Sequence, residues 1–325
     1  MPRTERYQAA VLAGPGAVRV ERRKAAPPGP RQVRVRLEGC GVCGSNLPLW
    51  EGRPWFSYPC APGAPGHEGW GRVEALGAGI NGEVSEGQRV ALLSYHAFAE
   101  VDVADVAAVV PLPESLPEQP FPGEALGCAM NVFRRAEIAA HHTVAVVGVG
   151  FLGALLIALA RRTGARVIAC SRRESALAMA RTMGATEAVS LEDGQTALAA
   201  VQAFTNGAGC ERVIEATGFQ DPLTLAGEMT AERGRLIIAG YHQDGLRQVN
   251  LQLWNWRGLD VINAHERDPA RYVEGMREAV MAIARGELDP RPLYTHGFTL
   301  DQLGVALDHL RAREGAFLKA WVKYE

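Results

Sequence analysis

Gly148, Gly150 and Gly153 constrain this chain more than any other feature. They form G-x-G-x-x-G directly after the β-branched run VAVV and directly before an apolar helical run, with Phe151 and Leu152 between the second and third glycines. In that setting each glycine has a physical task. The first permits a tight turn, the second lets a pyrophosphate approach the backbone, and the third lets helix and strand pack closely. The phosphates would lie on the positive end of the helix. Residues 143–160 together are long and apolar enough to suggest a membrane span. The β-branched first half, broken from the second by glycines, instead predicts a buried strand turning into a helix.

About twenty residues further on, a site for NAD sets Asp or Glu against the ribose hydroxyls. Here the second strand-like run ends in ARVIACSRRES, so Ser171, Arg172 and Arg173 stand where the acid would be. An acid would repel the additional phosphate of NADP, whereas a hydroxyl and a guanidinium fork bind it through charge-assisted hydrogen bonds. NADP(H) is therefore favoured over NAD(H); the alternative is that these arginines only begin an exposed helix.

Residues 119 to about 266 alternate strand-like runs (TVAVVG, ARVIAC, ERVIEATG, GRLIIAGY, LDVINAHE) with Ala/Leu-rich helical runs, the pattern of a parallel α/β sheet. Residues 1 to about 118 read as β-rich, interrupted by the proline- and aromatic-rich loop 53–70. The tail reads as a helix followed by a closing strand. With 34 Lys and Arg against 36 Asp and Glu, the formal charge is −2. That is too balanced for a nucleic-acid partner or an acidic membrane surface. Six cysteines are too sparse for a disulfide scaffold, and MPRTERYQAA has no apolar run behind its charges, so no signal peptide and a cytoplasmic location are expected.

Cys43, followed by Gly44, Ser45 and Asn46, comes just after a strand-like run; His67 and Glu68 lie in the proline-rich loop; Cys128 lies in GEALGCAMNV, shortly before the glycine motif. The segments GCGVCGSN, PGHEGWGRVEALG, GQRVAL, AFAEV, EALGCAMNVFRRA, VAVVGVGFLG, VIEATG and GRLIIAGYH, in that order, resemble the zinc-dependent medium-chain alcohol and polyol dehydrogenases over nearly the whole chain. The resemblance implies an α/β protein, with a Rossmann-type doubly wound parallel sheet plus a GroES-like β-rich catalytic domain. Residues 1–129 would begin the catalytic domain, 130–265 would form the dinucleotide-binding domain, and 266–325 would return to complete the catalytic one.

The resemblance further implies one catalytic zinc held by Cys43, His67 and Cys128, with Glu68 in or close to the coordination sphere. Such a set leaves a fourth place for water or substrate oxygen. Zinc lowers the pKa of a bound alcohol, which can then pass hydride to nicotinamide. Ser45 matches the hydroxyl that takes the alcohol proton toward solvent. Polyol-type members often use a Glu four residues before the Cys128 position. Glu124 stands there, on the same helix face, and competes with the softer thiolate of Cys128 for the metal.

Three departures qualify the match. Asn46 replaces the family's usual Asp near the zinc-binding histidine, and Pro48 stands near where many members carry a relay histidine. No cysteine lies between Gly82 and Leu112, where relatives carry a structural-zinc lobe, so a single zinc is expected. Cys40, Cys170 and Cys210 read as packed thiols. Trp50, Trp55, Phe56, Tyr95 and His96 flank the metal segments and are candidates for a substrate-cleft wall. The expected substrate is a small alcohol or polyol, or the matching aldehyde or ketone. A homodimer or homotetramer joined at an edge strand such as LDVINAHE is expected. A zinc-free quinone or enone reductase and a non-catalytic nucleotide-binding relative are the alternatives.

Overall fold

The computed structural model describes residues 5–324. The chain divides into two compact units, residues 1–127 with 267–325, and residues 128–266. The first unit begins with β1 (Arg6–Gly14), β2 (Ala17–Lys24) and β3 (Gln32–Val42), followed by one 3-10 turn at Gly44–Asn46 and the short helix α1 (Leu47–Trp50). After the irregular loop come β4 (Gly69–Leu76), β5 (Arg89–Leu92), β6 (Val101–Asp105) and β7 (Val109–Pro111). Helix α2 (Gly123–Ala136) crosses into the second unit.

The second unit alternates strand and helix throughout: β8 (Thr143–Val147), α3 (Phe151–Arg162), β9 (Arg166–Ser171), α4 (Glu174–Thr182), β10 (Glu187–Ser190), α5 (Gly194–Phe204), β11 (Cys210–Glu215), α6 (Gln220–Met229), β12 (Thr230–Ile238), α7 (Leu251–Arg257) and β13 (Asp260–Asn263). The chain then returns to the first unit through α8 (Pro269–Ala284), β14 (Tyr294–Thr299), α9 (Leu303–Ala312) and β15 (Lys319–Lys323).

Alternation and burial explain the two larger sheets; β1 and β2 form a separate antiparallel pair. The second unit is one six-stranded sheet in the order β10-β9-β8-β11-β12-β13, with every pair parallel. Val144, Ala145, Val146 and Val147 of β8 are fully buried, as a central strand covered on both faces requires. The order reverses between β8 and β11, and ligands of such sheets bind outside the carboxyl ends of the strands at that switch point. Residues 143–160 are thus β8, a glycine turn and part of α3; among the described residues no helix is long and apolar enough to cross a membrane.

The first unit is β-rich. A seven-stranded sheet runs β14-β15-β3-β4-β5-β7, with β6 also pairing β3, around a core that includes Leu12, Leu92, Phe98, Leu307 and Phe317. Strand β3 is the hub, and its register sets the site. Cys40 pairs with Gly69 of β4, and Val42 pairs with Ala320 of β15, both antiparallel. The residues just beyond these pairs, Cys43 after β3, His67 and Glu68 before β4, and Lys319 at the start of β15, therefore emerge at one end of three adjacent strands.

Candidate metal and dinucleotide sites

That register has a chemical result. Cys43, His67 and Glu68 offer ligand atoms that all lie within 4.8 Å of one another. Glu124, in the first turn of α2, brings Oε2 to 4.0 Å from His67 Nε2. Cys128, one turn further along the same helix, is not in this group of donors. His67 Nδ1 lies 2.8 Å from the carbonyl oxygen of Pro65. A carbonyl only accepts, so Nδ1 carries the proton and Nε2 is left toward Ser45, whose Oγ is 3.4 Å away. Burial alone would lower the His67 pKa, but the hydrogen bond to Cys43 and the charges of Cys43, Glu124 and Glu68 push it up to about 10. The cluster is rich in negative charge and favours a cation at its centre. A divalent ion suits it, because ligation replaces the proton on the imidazole.

Behind the donors lies a buried ion pair. Glu68 is fully buried, and Lys319 Nζ approaches Oε1 at 2.7 Å and Oε2 at 2.5 Å. Burial alone would lower the Lys319 pKa, yet the charges of Glu68 and Cys43 and the bond to Glu68 outweigh it and raise the pKa above the ordinary lysine value. A side chain at Gly41 would overlap the Glu68 carboxylate, so glycine is required there for space. The Glu68 carboxylate therefore serves both the Lys319 ammonium and the donor cluster with Cys43 and His67. Asn46 is buried as well: Oδ1 accepts from Cys43 N at 3.0 Å and Nδ2 donates to the Pro65 carbonyl at 3.4 Å. Its amide thus links the segment carrying Cys43 to the carbonyl that orients His67.

In the second unit the glycine turn has the expected local geometry. Gly148 adopts φ +102°, and a methyl group there would meet the Thr217 methyl. A Cβ on Gly150 would meet nothing within 4 Å, whereas one on Gly153 would run into the Gly148 carbonyl. Open space at Gly150 is the cradle a pyrophosphate needs, and Gly150 starts α3 with no side-chain cap on the helix N–H groups. Phe151 is buried and Leu152 half-buried behind the turn. At the end of β9, Ser171 is buried and Arg172 exposed. Arg173 is half-buried, and its Nη2 donates to the Val149 carbonyl at 3.4 Å. Arg173 is thus drawn toward the turn while Arg172 stands in solvent.

Two family models match the chain. The alcohol dehydrogenase GroES-like domain covers residues 29–114, and the zinc-binding dehydrogenase model covers residues 152–280. The chain belongs to the zinc-dependent medium-chain dehydrogenase/reductase family. As a member of the medium-chain family it is an oxidoreductase. Sorbitol dehydrogenase of Homo sapiens is 26% identical over 349 residues, covering 96% of this chain and 94% of that protein. The 5-exo-hydroxycamphor dehydrogenase of Pseudomonas putida is 27% identical over 337 residues, covering 90% and 91%. A solved dehydrogenase of unknown specificity from Escherichia coli shares the fold with a TM-score of 0.88 at 20% identity, covering 98% and 99%.

Within this medium-chain frame, other residues fall differently from their sequence reading. Trp50 is no cleft residue: it is buried in α1, and its indole donates to Asp308 at 3.0 Å. Phe56 packs against the core, while Trp55, Tyr95 and His96 are exposed. The Tyr95 ring lies 6.3 Å from that of His67, so of the five aromatics it is the one set beside the donors. Cys40, Cys170 and Cys210 are buried thiols, each pushed up in pKa by burial. Lys319 was missed by sequence reasoning. The signal available was a lysine inside the otherwise apolar run AFLKAWV, whose partner stands 251 residues earlier.

Proposed function

We propose that this medium-chain dehydrogenase transfers hydride between NADP(H) and an alcohol or polyol, or the corresponding aldehyde or ketone, at one zinc held by Cys43, His67 and Glu68. The observation that carries this reading is the convergence of a thiol, an imidazole and a buried carboxylate within 4.8 Å, a donor set suited to zinc. When bound, zinc supplies a Lewis acid that eases loss of an alcohol proton or polarises a carbonyl, and nicotinamide takes or returns the hydride. The chain's own residues do the rest. Pro65 fixes the His67 tautomer so that Nε2 is the ligating nitrogen. Ser45 Oγ, 3.4 Å from that nitrogen, receives the alcohol proton and passes it to water, since Pro48 offers no titratable group. Lys319 holds the Glu68 carboxylate in place. Tyr95 beside His67 offers an aromatic wall with a polar tip. That wall and the sorbitol and hydroxycamphor dehydrogenases among the relatives favour a polyol or cyclic alcohol.

Elemental mass spectrometry on protein purified without chelator tests the zinc reading. One zinc per chain is expected; none, even after zinc is added back, would move the assignment to a zinc-free reductase of the same family. For the coenzyme, Ser171, Arg172 and Arg173 in place of an acid support NADP(H). Arg172→Ala and Arg173→Ala are each expected to weaken NADPH binding by about ten- to a hundredfold, the value of a charge-assisted hydrogen bond, with little effect on NADH. Fluorescence titration with both coenzymes reads this directly, and tighter binding of NADH by the wild type would overturn it.

A further inference from the structure

The carboxyl end of β11 carries a chain of charged groups that the reaction above does not use. Glu215 is fully buried. Its Oε1 accepts from Thr217 N at 2.6 Å, from Gly218 N at 2.9 Å and from the Thr217 hydroxyl. Its Oε2 lies 3.0 Å from His242 Nε2. Arg247 Nε donates to His242 Nδ1 at 2.9 Å, so Nδ1 is the bare acceptor and Nε2–H is the donor to Glu215. Arg247 Nη2 also donates to the Gly218 carbonyl at 2.9 Å and to Asp244. The same Glu215 holds the loop after β12 by its backbone, its carbonyl accepting from Ala239 N and Gly240 N, each at 2.8 Å. The fit leaves no slack: a side chain at Gly240 would overlap Gly218 N and press on Glu215 Oε2, and Thr217 fills the space a side chain at Gly148 would need.

The topology says what this assembly faces. Pyrophosphate belongs at the turn after β8, and the adenosine ribose at Ser171 and Arg172 after β9. The nucleotide straddles the switch point, so its other half must lie across β11 and β12, over the loops 216–218 and 239–242. We infer that Glu215, His242 and Arg247 form a positioning chain that sets the floor under the nicotinamide half of the dinucleotide site. This rests on the dinucleotide reading above. The three residues act through the backbone of the two loops. His242, bonded at both nitrogens, links the buried Glu215 carboxyl group outward to the Arg247 guanidinium.

His242→Phe keeps the ring and removes both hydrogen bonds, whereas His242→Gln can donate at one end and accept at the other. NADPH affinity is expected to fall about tenfold in His242→Phe and to stay within about threefold of wild type in His242→Gln, as loss and rescue of one or two hydrogen bonds predict. The adenosine fragments 2′,5′-ADP and 5′-AMP, which stop short of β11, are expected to bind all three proteins alike. Arg247→Met removes the outer bond and reports in the same direction if His242→Phe does not fold. Unchanged NADPH affinity in the variants, or a fragment affinity that falls in step with that of NADPH, would overturn the inference. A wild-type protein that binds neither coenzyme nor fragment would instead overturn the dinucleotide reading itself.

Discussion

Cys43→Ser is expected to leave the chain folded, empty it of zinc, and lower kcat/KM for alcohol oxidation by more than about a hundredfold. Removing a residue that merely orients a ligand costs up to about a hundredfold, and a direct thiolate donor contributes more. Serine keeps the volume, but its hydroxyl does not ionise near neutral pH and is a poor zinc ligand. The charge of Cys43 also acts on its neighbours, since it is one of the causes that raise the pKa of both His67 and Lys319. NADPH affinity should not change, because the glycine turn and Ser171 belong to the other unit. The companion variant is Cys128→Ser. Cys128 stands outside the donor group, so this protein is expected to keep its zinc and most of its activity. Zinc analysis, coenzyme titration and steady-state kinetics on the two variants together decide the ligand set. Loss of zinc from Cys128→Ser would restore that cysteine as a donor.

The features legible in the sequence share a cause: each is local. The glycine turn, the strand before it and the helix after it lie within one short segment; Gly148 and Gly153 have steric reasons in the structure, and Gly150 has open space beside it. The alternating rhythm that predicts a parallel sheet is likewise a property of neighbouring residues, and five of the six strands of that sheet match the runs read from it; β10 was not read. Features set by distant register were hidden. Strand β14, in YTHGFT, was not read, because it exists through its pairing with β15 rather than through its own alternation. Within AFAEV only Val101 belongs to a regular strand, β6, and Ala99 meets Ala9 through an isolated bridge. Trp50 looked like a pocket residue because a cleft loop follows it. Its indole instead satisfies Asp308, 258 residues away. Glu124 and Cys128 present the same helix face to sequence reasoning, and the approach of Glu124 to His67 emerges only in the fold.

Lys319→Met should destabilise the metal-free protein by about 3–5 kcal/mol, the cost of removing one partner from a buried ion pair. Glu68 has no exposed surface, and Lys319 Nζ reaches both of its oxygens. Without the ammonium, the carboxylate would either remain charged in a low-dielectric setting or take up a proton, and either is costly. The double variant Glu68→Gln, Lys319→Met removes both charges, and most of the loss should then return, since a buried pair replaced as a unit is often near neutral. Urea denaturation of wild type, both single variants and the double variant forms a cycle whose coupling term isolates the pair. The pH dependence has a definite sign. The Lys319 pKa is raised in the fold, so its contribution is fully present below the ordinary value of 10.5 and is lost as pH rises through the higher folded value. Wild type and Lys319→Met should therefore differ most at neutral pH and converge only in strongly alkaline solution. A coupling energy near zero at neutral pH would mean that the ion pair adds no stability and that Lys319 serves only to place the Glu68 carboxylate beside Cys43 and His67.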